Sequence, residues 1–368
     1  MALKGAEAPG SLREGITTGT CAAAAAQASV RWQISGQCPE TVSVDTPSGK
    51  TVRLSVIPKD FPACGVIKDA GDDPDVTDGC EVITRVTLFE DKGDILFKAG
   101  EGIGHVTRPG LKLSVGEAAI NPVPRQMIEK EIRYCVGDVG AEVEVSIPGG
   151  DRLSEKTFNP RIGIEGGLSI LGTSGIVRPM SESAVVESLK TYLSVAAAAE
   201  PDYICFVLGE TGEQRIREWL ASQKKDMSRV EFVQISNYAG LMLDEAVRLN
   251  VKKILIGGFA GKLVKLAADI MNTHSHVADG RMETICTFAA LEGAKASVIR
   301  KLYECRTVSE AEKVLKAHEL EGIWYPISDK AAEKCRLRMG GDGDVAIVLL
   351  DAKGRLLGNS QNTEAITG

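Results

Sequence analysis

Along the first 150 residues, apolar positions recur every second residue in short runs separated by Pro, Gly and Asp: 41–44, 52–56, 82–88 and 142–146. A period of two sends alternate side chains to opposite faces, so these runs predict half-exposed strands of a mixed or antiparallel sheet. Two segments break the pattern with helical character. One begins after Thr20 and runs through Cys21, five alanines and Gln27-Ala28; the other covers Pro124 to about Cys135 and opens on proline. From Ile162 the pattern changes: short apolar runs at 162–164, 203–208, 230–235 and 254–256 end in glycine or polar residues, as expected of buried parallel strands. Between them lie helical stripes. Val185, Val186, Leu189, Tyr192, Leu193 and Ala196 form the first, Ala239, Met242, Leu243 and Ala246 the second, and Leu263, Leu266, Ala267, Ile270 and Met271 the third.

This alternation predicts a two-domain α/β protein: an N-terminal α+β domain with a mixed sheet over residues 1–150, and a doubly wound, Rossmann-like α/β domain over 151–368. The turn-rich Pro148-Gly149-Gly150-Asp151 is the expected boundary. A last strand over 345–350 is assigned by its pattern to neither half.

Composition narrows the partners. The chain has 368 residues with 43% hydrophobic and 25% charged side chains, an ordinary globular balance. Its 43 basic and 50 acidic residues leave a net charge of -7, a field that repels phosphate polymers and anionic lipid. Nucleic acid and membrane are therefore excluded as expected partners, and any anionic ligand needs a local cluster of donors. Nine dispersed Cys residues without a CxxC pair read as reduced thiols. With no apolar core in residues 1–13 and no run near the ~20 residues of a membrane span, the expected location is the cytoplasm. A homo-oligomer is left open.

Three places carry candidate chemistry. The segment Thr17-Thr18-Gly19-Thr20-Cys21 opens the Ala-rich helix, where unpaired N–H groups can take a carboxylate or phosphate; the alternative is that Thr18 or Thr20 is simply an N-cap. Cys21 as a thiolate nucleophile lacks a neighbouring base. The second place is the rim formed by the carboxyl ends of the parallel strands. Glu165, Gly166, Gly209, Glu210, Asn237 and Gly257 are expected there, and they suit a nucleoside-type cofactor although neither GxGxxG nor a Walker loop is present. The third is the polar run 272–283, with His274, His276, Asp279 and Arg281. His274 continues the third apolar stripe, so it is expected to point inward and His276 outward. The weak H-x-H spacing makes a structural or substrate-facing cluster the preferred reading over a metal site, so no metal is expected.

Three segments together resemble one family. They are Gly15-Ile16-Thr17-Thr18-Gly19-Thr20-Cys21 with its alanines, the junction run 168–181 containing Gly172-Thr173-Ser174-Gly175 and Arg178-Pro179-Met180-Ser181, and Gly261-Lys262 through Asn272-Thr273-His274-Ser275 to Arg281-Met282-Glu283. This set is similar to the CbiD-type cobalt-precorrin-5B (C1)-methyltransferases of anaerobic cobalamin biosynthesis. One departure is Gly257-Gly258-Phe259-Ala260, where a His is expected.

The resemblance implies transfer of a methyl group from S-adenosylmethionine to carbon 1 of a cobalt-bound tetrapyrrole rich in carboxylates, giving cobalt-precorrin-6A. It makes Thr17, Thr18, Gly19, Thr20, Arg178, Lys262, Lys265 and Arg281 candidates for holding substrate. His274 and Asp279 become candidates for adjusting protonation or gripping a propionate. The N-terminal domain becomes the substrate side and the C-terminal domain the cofactor side. Two other readings stand beside it: a small-molecule kinase using the Thr/Gly helix start as a phosphate cradle, against which the missing Walker pattern argues, and a tetrapyrrole carrier, which would need no cofactor pocket.

Overall fold

The computed structural model describes residues 12–91 and 93–368, which divide into two compact units between Ala184 and Val185. The division lies well beyond the expected turn at 148–151. The reason is that the following segment pairs back into the first unit: Ile164–Glu165 lies antiparallel to His105–Val106, Ile176–Val177 to Gly15–Ile16, and bridges join Ile103 to Leu168 and Ile120 to Ile170. The run 162–164 is accordingly not a parallel strand. Pro160 and the left-handed Gly163 (φ 68°) bracket a 3-10 turn over Asn159–Ile162, and only two residues pair beyond it.

In the first unit a five-stranded sheet runs in the spatial order Ile57–Pro58, Cys64–Ile67, Glu81–Leu88, Ala141–Ser146, Ile95–Ala99. It is mixed, because only the last pair is parallel. In Glu81–Leu88 the period of two is visible in the burial: Val82, Thr84 and Val86 face the core. A separate hairpin joins Thr41–Asp45 to Thr51–Ser55. The helix Thr18–Ser35 is buried at every residue from Thr18 to Val30, as befits a helix with no polar face. Its alanines let neighbours approach the helix backbone, and the Thr84 hydroxyl donates to the Ala22 carbonyl at 3.1 Å. The N-cap is Thr17, one residue before Thr18 and three before Thr20, the two expected to fill that place.

The second unit contains a five-stranded sheet in the order Val230–Gln234, Tyr203–Val207, Lys253–Phe259, Asp344–Leu350, Leu356–Asn359. The first four strands are parallel and the last is antiparallel. Tyr203–Val207 is buried throughout, consistent with its continuous apolar run. Tyr203, Cys205 and Val207 share a core with Ile216 and Leu220 of the helix Glu210–Ser222. The first two apolar stripes lie on the helices Glu182–Ala198 and Ala239–Arg248. The third does not form one helix: Ala260–Leu263 passes into a 3-10 turn over Val264–Ala268, which Asp269 ends in the left-handed region (φ 64°). Among the described residues no helix is long and apolar enough to cross a membrane.

Candidate functional site

Ligands of open parallel sheets bind beyond the carboxyl ends of the strands, where the direction of strand addition reverses. With the five strands of the second unit numbered along the chain, their spatial order is 2-1-3-4-5. The reversal therefore falls between Tyr203–Val207 and Lys253–Phe259. At their ends Gly209 (φ 153°) and Gly258 (φ 154°) hold backbone conformations that side chains disfavour. No atom lies within 4 Å of where a Cβ would stand on Gly209, and at Gly258 the nearest atom is 3.7 Å away. Both glycines turn the chain, and Gly209 leaves open space, whereas Gly258 packs against Leu208 and Leu263. Glu210 opens the helix Glu210–Ser222 beside Gly209 and is exposed.

Three of the expected rim residues do something else. A Cβ on Gly257 would sit 2.5 Å from Ile216 Cδ1, so that glycine serves packing of helix on sheet rather than an open edge. Glu165 and Gly166 belong to the first unit, through the His105–Val106 pairing, and are absent from this rim. Asn237 is on the rim, and its Oδ1 accepts from Lys262 Nζ at 2.9 Å and Thr273 Oγ1 at 3.2 Å.

That network leads to the loop 273–280. Lys265, 2% exposed, donates through Nζ to the carbonyls of Thr273 (3.2 Å) and Ala278 (2.8 Å). Burial lowers its pKa, and in this state it pins the loop rather than presenting a charge to a ligand. Asp279 is gripped by Arg281 through two hydrogen bonds, Nε to Oδ1 at 2.7 Å and Nη2 to Oδ2 at 2.6 Å. The Arg281 hydrogen bonds hold the Asp279 carboxyl down at about 2, which suits an anchored anion and not a proton donor. His274 does not point inward. With the third helix broken at Asp269, His274 and His276 are both exposed, their rings edge-on at 4.9 Å, and His274 Nδ1 accepts from the His276 N–H at 3.2 Å. Among the described residues no group of three or more His, Cys, Asp and Glu is arranged to hold a metal ion.

Beyond the ends of Lys253–Phe259 and Asp344–Leu350, Phe259, Arg281, Thr307, Val308, Glu312 and Leu350 line an open pocket of about 340 Å³. Glu312 is half-buried and makes no hydrogen bond or ion pair among the described residues. Burial, then repulsion from Asp351, pushes its carboxyl up, with Arg355 opposing. Sequence reasoning passed over this wall, although the capping spacing Thr307-x-x-Glu310 marks the start of the helix Val308–Ala317.

In the first unit the helix-start threonines are committed internally. Thr17 Oγ1 accepts from the Thr20 N–H (3.2 Å), and Thr20 Oγ1 donates to the Gly175 carbonyl (2.7 Å). Thr18 Oγ1 both donates to Leu171 O (3.2 Å) and accepts from its N–H (3.0 Å), while the Gly19 N–H donates to the same carbonyl at 3.1 Å. All three threonines are buried. The hydroxyls of the expected anion cradle are thus committed to anchoring the 171–177 segment, and the cap is Thr17 rather than Thr18 or Thr20. Burial pushes the Cys21 thiol up to about 12, which removes it as a nucleophile. Arg178 is 70% exposed in its side chain and lies 3.4 Å from Glu14.

Residues 6–179 match the family model described as CbiD, and residues 272–361 that of the CbiD C-terminal domain. The chain is 41% identical over 343 residues to a protein of Alkaliphilus metalliredigens (strain QYMF) named cobalt-precorrin-5B C(1)-methyltransferase, covering 92% of this chain and 89% of the relative. A protein of the same name from Moorella thermoacetica is 40% identical over 362 residues, 97% of both chains. A solved structure titled cobalamin biosynthesis protein (cbiD) from Archaeoglobus fulgidus is 28% identical and covers 77% of this chain and 85% of its own, with a TM-score of 0.38.

Proposed function

The chain belongs to the CbiD family, and from that premise we propose that it catalyses the methylation of carbon 1 of cobalt-precorrin-5B in cobalamin biosynthesis, with S-adenosylmethionine as methyl donor. The observation that carries the reading is 40% identity across 97% of both chains with a relative bearing that name. The donor is assigned to the second unit, whose parallel sheet we read as Rossmann-like, at the reversal between Tyr203–Val207 and Lys253–Phe259.

The residues there fit such a ligand. Gly209 leaves open space at the edge of the sheet, and Glu210 offers a carboxylate for ribose hydroxyls. Arg281 Nη1 makes none of the hydrogen bonds to Asp279, and it suits an amino-acid carboxylate. Bound there, the donor supplies an electrophilic methyl carbon. No protein nucleophile is required, so the work of the chain is placement and exclusion of water, to which orientation can contribute ~7–11 kcal/mol. The loop 273–280 presents His274 and Lys262 as exposed donors for substrate carboxylates, Lys265 fixes the loop beneath them, and Asp279 keeps Arg281 oriented. In the first unit the exposed Arg178 lies 3.4 Å from Glu14, and the helix-start threonines anchor the segment 171–177 that precedes it.

The test is reconstitution: purified protein, cobalt-precorrin-5B and S-adenosylmethionine, with the product followed by mass spectrometry and its methyl position located by NMR. Methyl incorporation at carbon 1 is expected. Tetrapyrrole binding without donor binding or methyl transfer would make the protein a carrier and overturn the reading.

A further inference from the structure

Glu312 is the charged group that the reading above leaves without a task. The acidic side chains around it are occupied: Asp279 is held by Arg281, Asp351 by Arg355, and Glu310 accepts from the Arg306 N–H at 2.8 Å. Among the described residues Glu312 makes no hydrogen bond or ion pair, although Arg355 acts on it through space, and it faces the pocket beside the apolar side chains of Phe259, Val308 and Leu350. A carboxylate that is partly removed from water and lacks a partner costs free energy, and a bound cation removes that cost.

Among its lining residues the pocket has one carboxylate, Glu312, with the Thr307 hydroxyl already accepting from the Glu310 N–H at 3.2 Å. A sulfonium has no N–H, is weakly hydrated, and needs only a nearby negative charge within an apolar wall. Resting on the methyl-donor assignment above, we infer that Glu312 recognises the sulfonium of the donor, so that the pocket binds S-adenosylmethionine in preference to S-adenosylhomocysteine. Adenosyl, ammonium and carboxylate groups are common to both molecules, and the sulfur charge is what distinguishes them. Methyl transfer cancels that charge, and with it the attraction to Glu312, which favours exchange of spent product for fresh donor.

Isothermal titration of the full chain with each ligand tests this, using wild type and the isosteric Glu312→Gln. The wild type should bind S-adenosylmethionine more tightly than S-adenosylhomocysteine. E312Q should lose about 10-fold or more for the charged ligand, as expected for a contact to a charged group, and change less than about two-fold for the neutral one. Equal losses for both ligands, repeated in the volume-conserving Glu312→Met with an unchanged unfolding midpoint, would overturn the sulfonium assignment; so would no loss for either. If wild type binds both ligands while E312Q matches it, the methyl-donor reading stands and this inference alone falls. If wild type binds neither ligand, both fall.

Discussion

Replacing Lys265 with Met separates what holds the loop 273–280 from what it binds. The lysine ammonium donates to the carbonyls of Thr273 and Ala278 at 3.2 and 2.8 Å, thereby tying both ends of the segment that carries His274. Met keeps the apolar stem and deletes both donors. Losing a hydrogen bond from a charged donor costs ~1.5–3 kcal/mol, so two would give ~3–6 kcal/mol. Against this stands the cost of burying the ammonium, which burial makes harder to keep charged and which Met does not incur. A net loss of about 2–4 kcal/mol is therefore expected, and it should appear locally because the loop is not part of the sheet. At 1.36 kcal/mol per factor of ten, amide exchange within 274–278 should accelerate ~30- to 1000-fold. The strand Tyr203–Val207 should keep its protection. Unchanged exchange in the loop, or a uniform acceleration that includes the central strands, would refute the pinning role.

Further outcomes follow from the same geometry. Gly257→Ala places a Cβ 2.5 Å from Ile216 Cδ1 and should destabilise the protein by ~1–3 kcal/mol through overpacking, read as a lower urea midpoint at unchanged slope. Thr20→Val removes the 2.7 Å hydrogen bond to Gly175 O; because that carbonyl also accepts from the Thr17 N–H, the loss should stay near ~1 kcal/mol by chemical denaturation. Asp279 has its folded pKa lowered to about 2 by Arg281, so its contribution is present above the ordinary value of 3.8 and is lost as pH falls through about 2. With its side chain 45% exposed, that contribution should not exceed ~1 kcal/mol, and it appears as a wild-type-minus-Asp279→Asn difference in stability that vanishes at low pH.

What the sequence disclosed depended on whether a residue's fate is decided by its neighbours in the chain. Alternation in 82–88 and 142–146 and continuous apolarity in 203–207 report burial on one face or on two, and each became the expected strand. The segment 159–177 was misassigned to the second unit because its attachment consists of two-residue ladders to His105–Val106 and Gly15–Ile16, too short to leave a periodic signal. The stripe from Leu263 to Met271 has helical spacing, yet a short helical turn, a 3-10 turn and a left-handed Asp269 satisfy that spacing in pieces, and the inward direction expected for His274 ended with the helix. Thr17, Thr18 and Thr20 are chemically alike in sequence. Only their partners at Leu171 and Gly175 show that the hydroxyls bind the chain itself. Nor could spacing reveal that Asp279 is spent on Arg281, or that Glu312 makes no hydrogen bond or ion pair among the described residues.

The charges of the second unit then bear on how one acidic protein can handle two ligands of opposite character. A net charge of -7 opposes a polycarboxylate ring, but the field near a site is set by the groups within about a Debye length, ~8 Å at physiological ionic strength. At the proposed donor site, beside the Arg281 Nη1 assigned to the donor's carboxylate, the uncommitted groups are Glu210 at the strand end and Glu312 in the pocket, and both favour a ligand carrying a sulfonium. On the loop side the exposed groups are Lys262 and His274, and Asp279, the acid that would repel a carboxylate, is neutralised by Arg281. Removing Arg281 would thus do more than delete a donor. It would release an unpaired Asp279 beside the positions proposed to meet substrate carboxylates, so Arg281→Met should weaken tetrapyrrole binding more than the double variant Arg281→Met with Asp279→Asn, although the double variant has lost both side chains. If the double variant binds the substrate no better than the single one, Asp279 is not the liability that this arrangement keeps neutral.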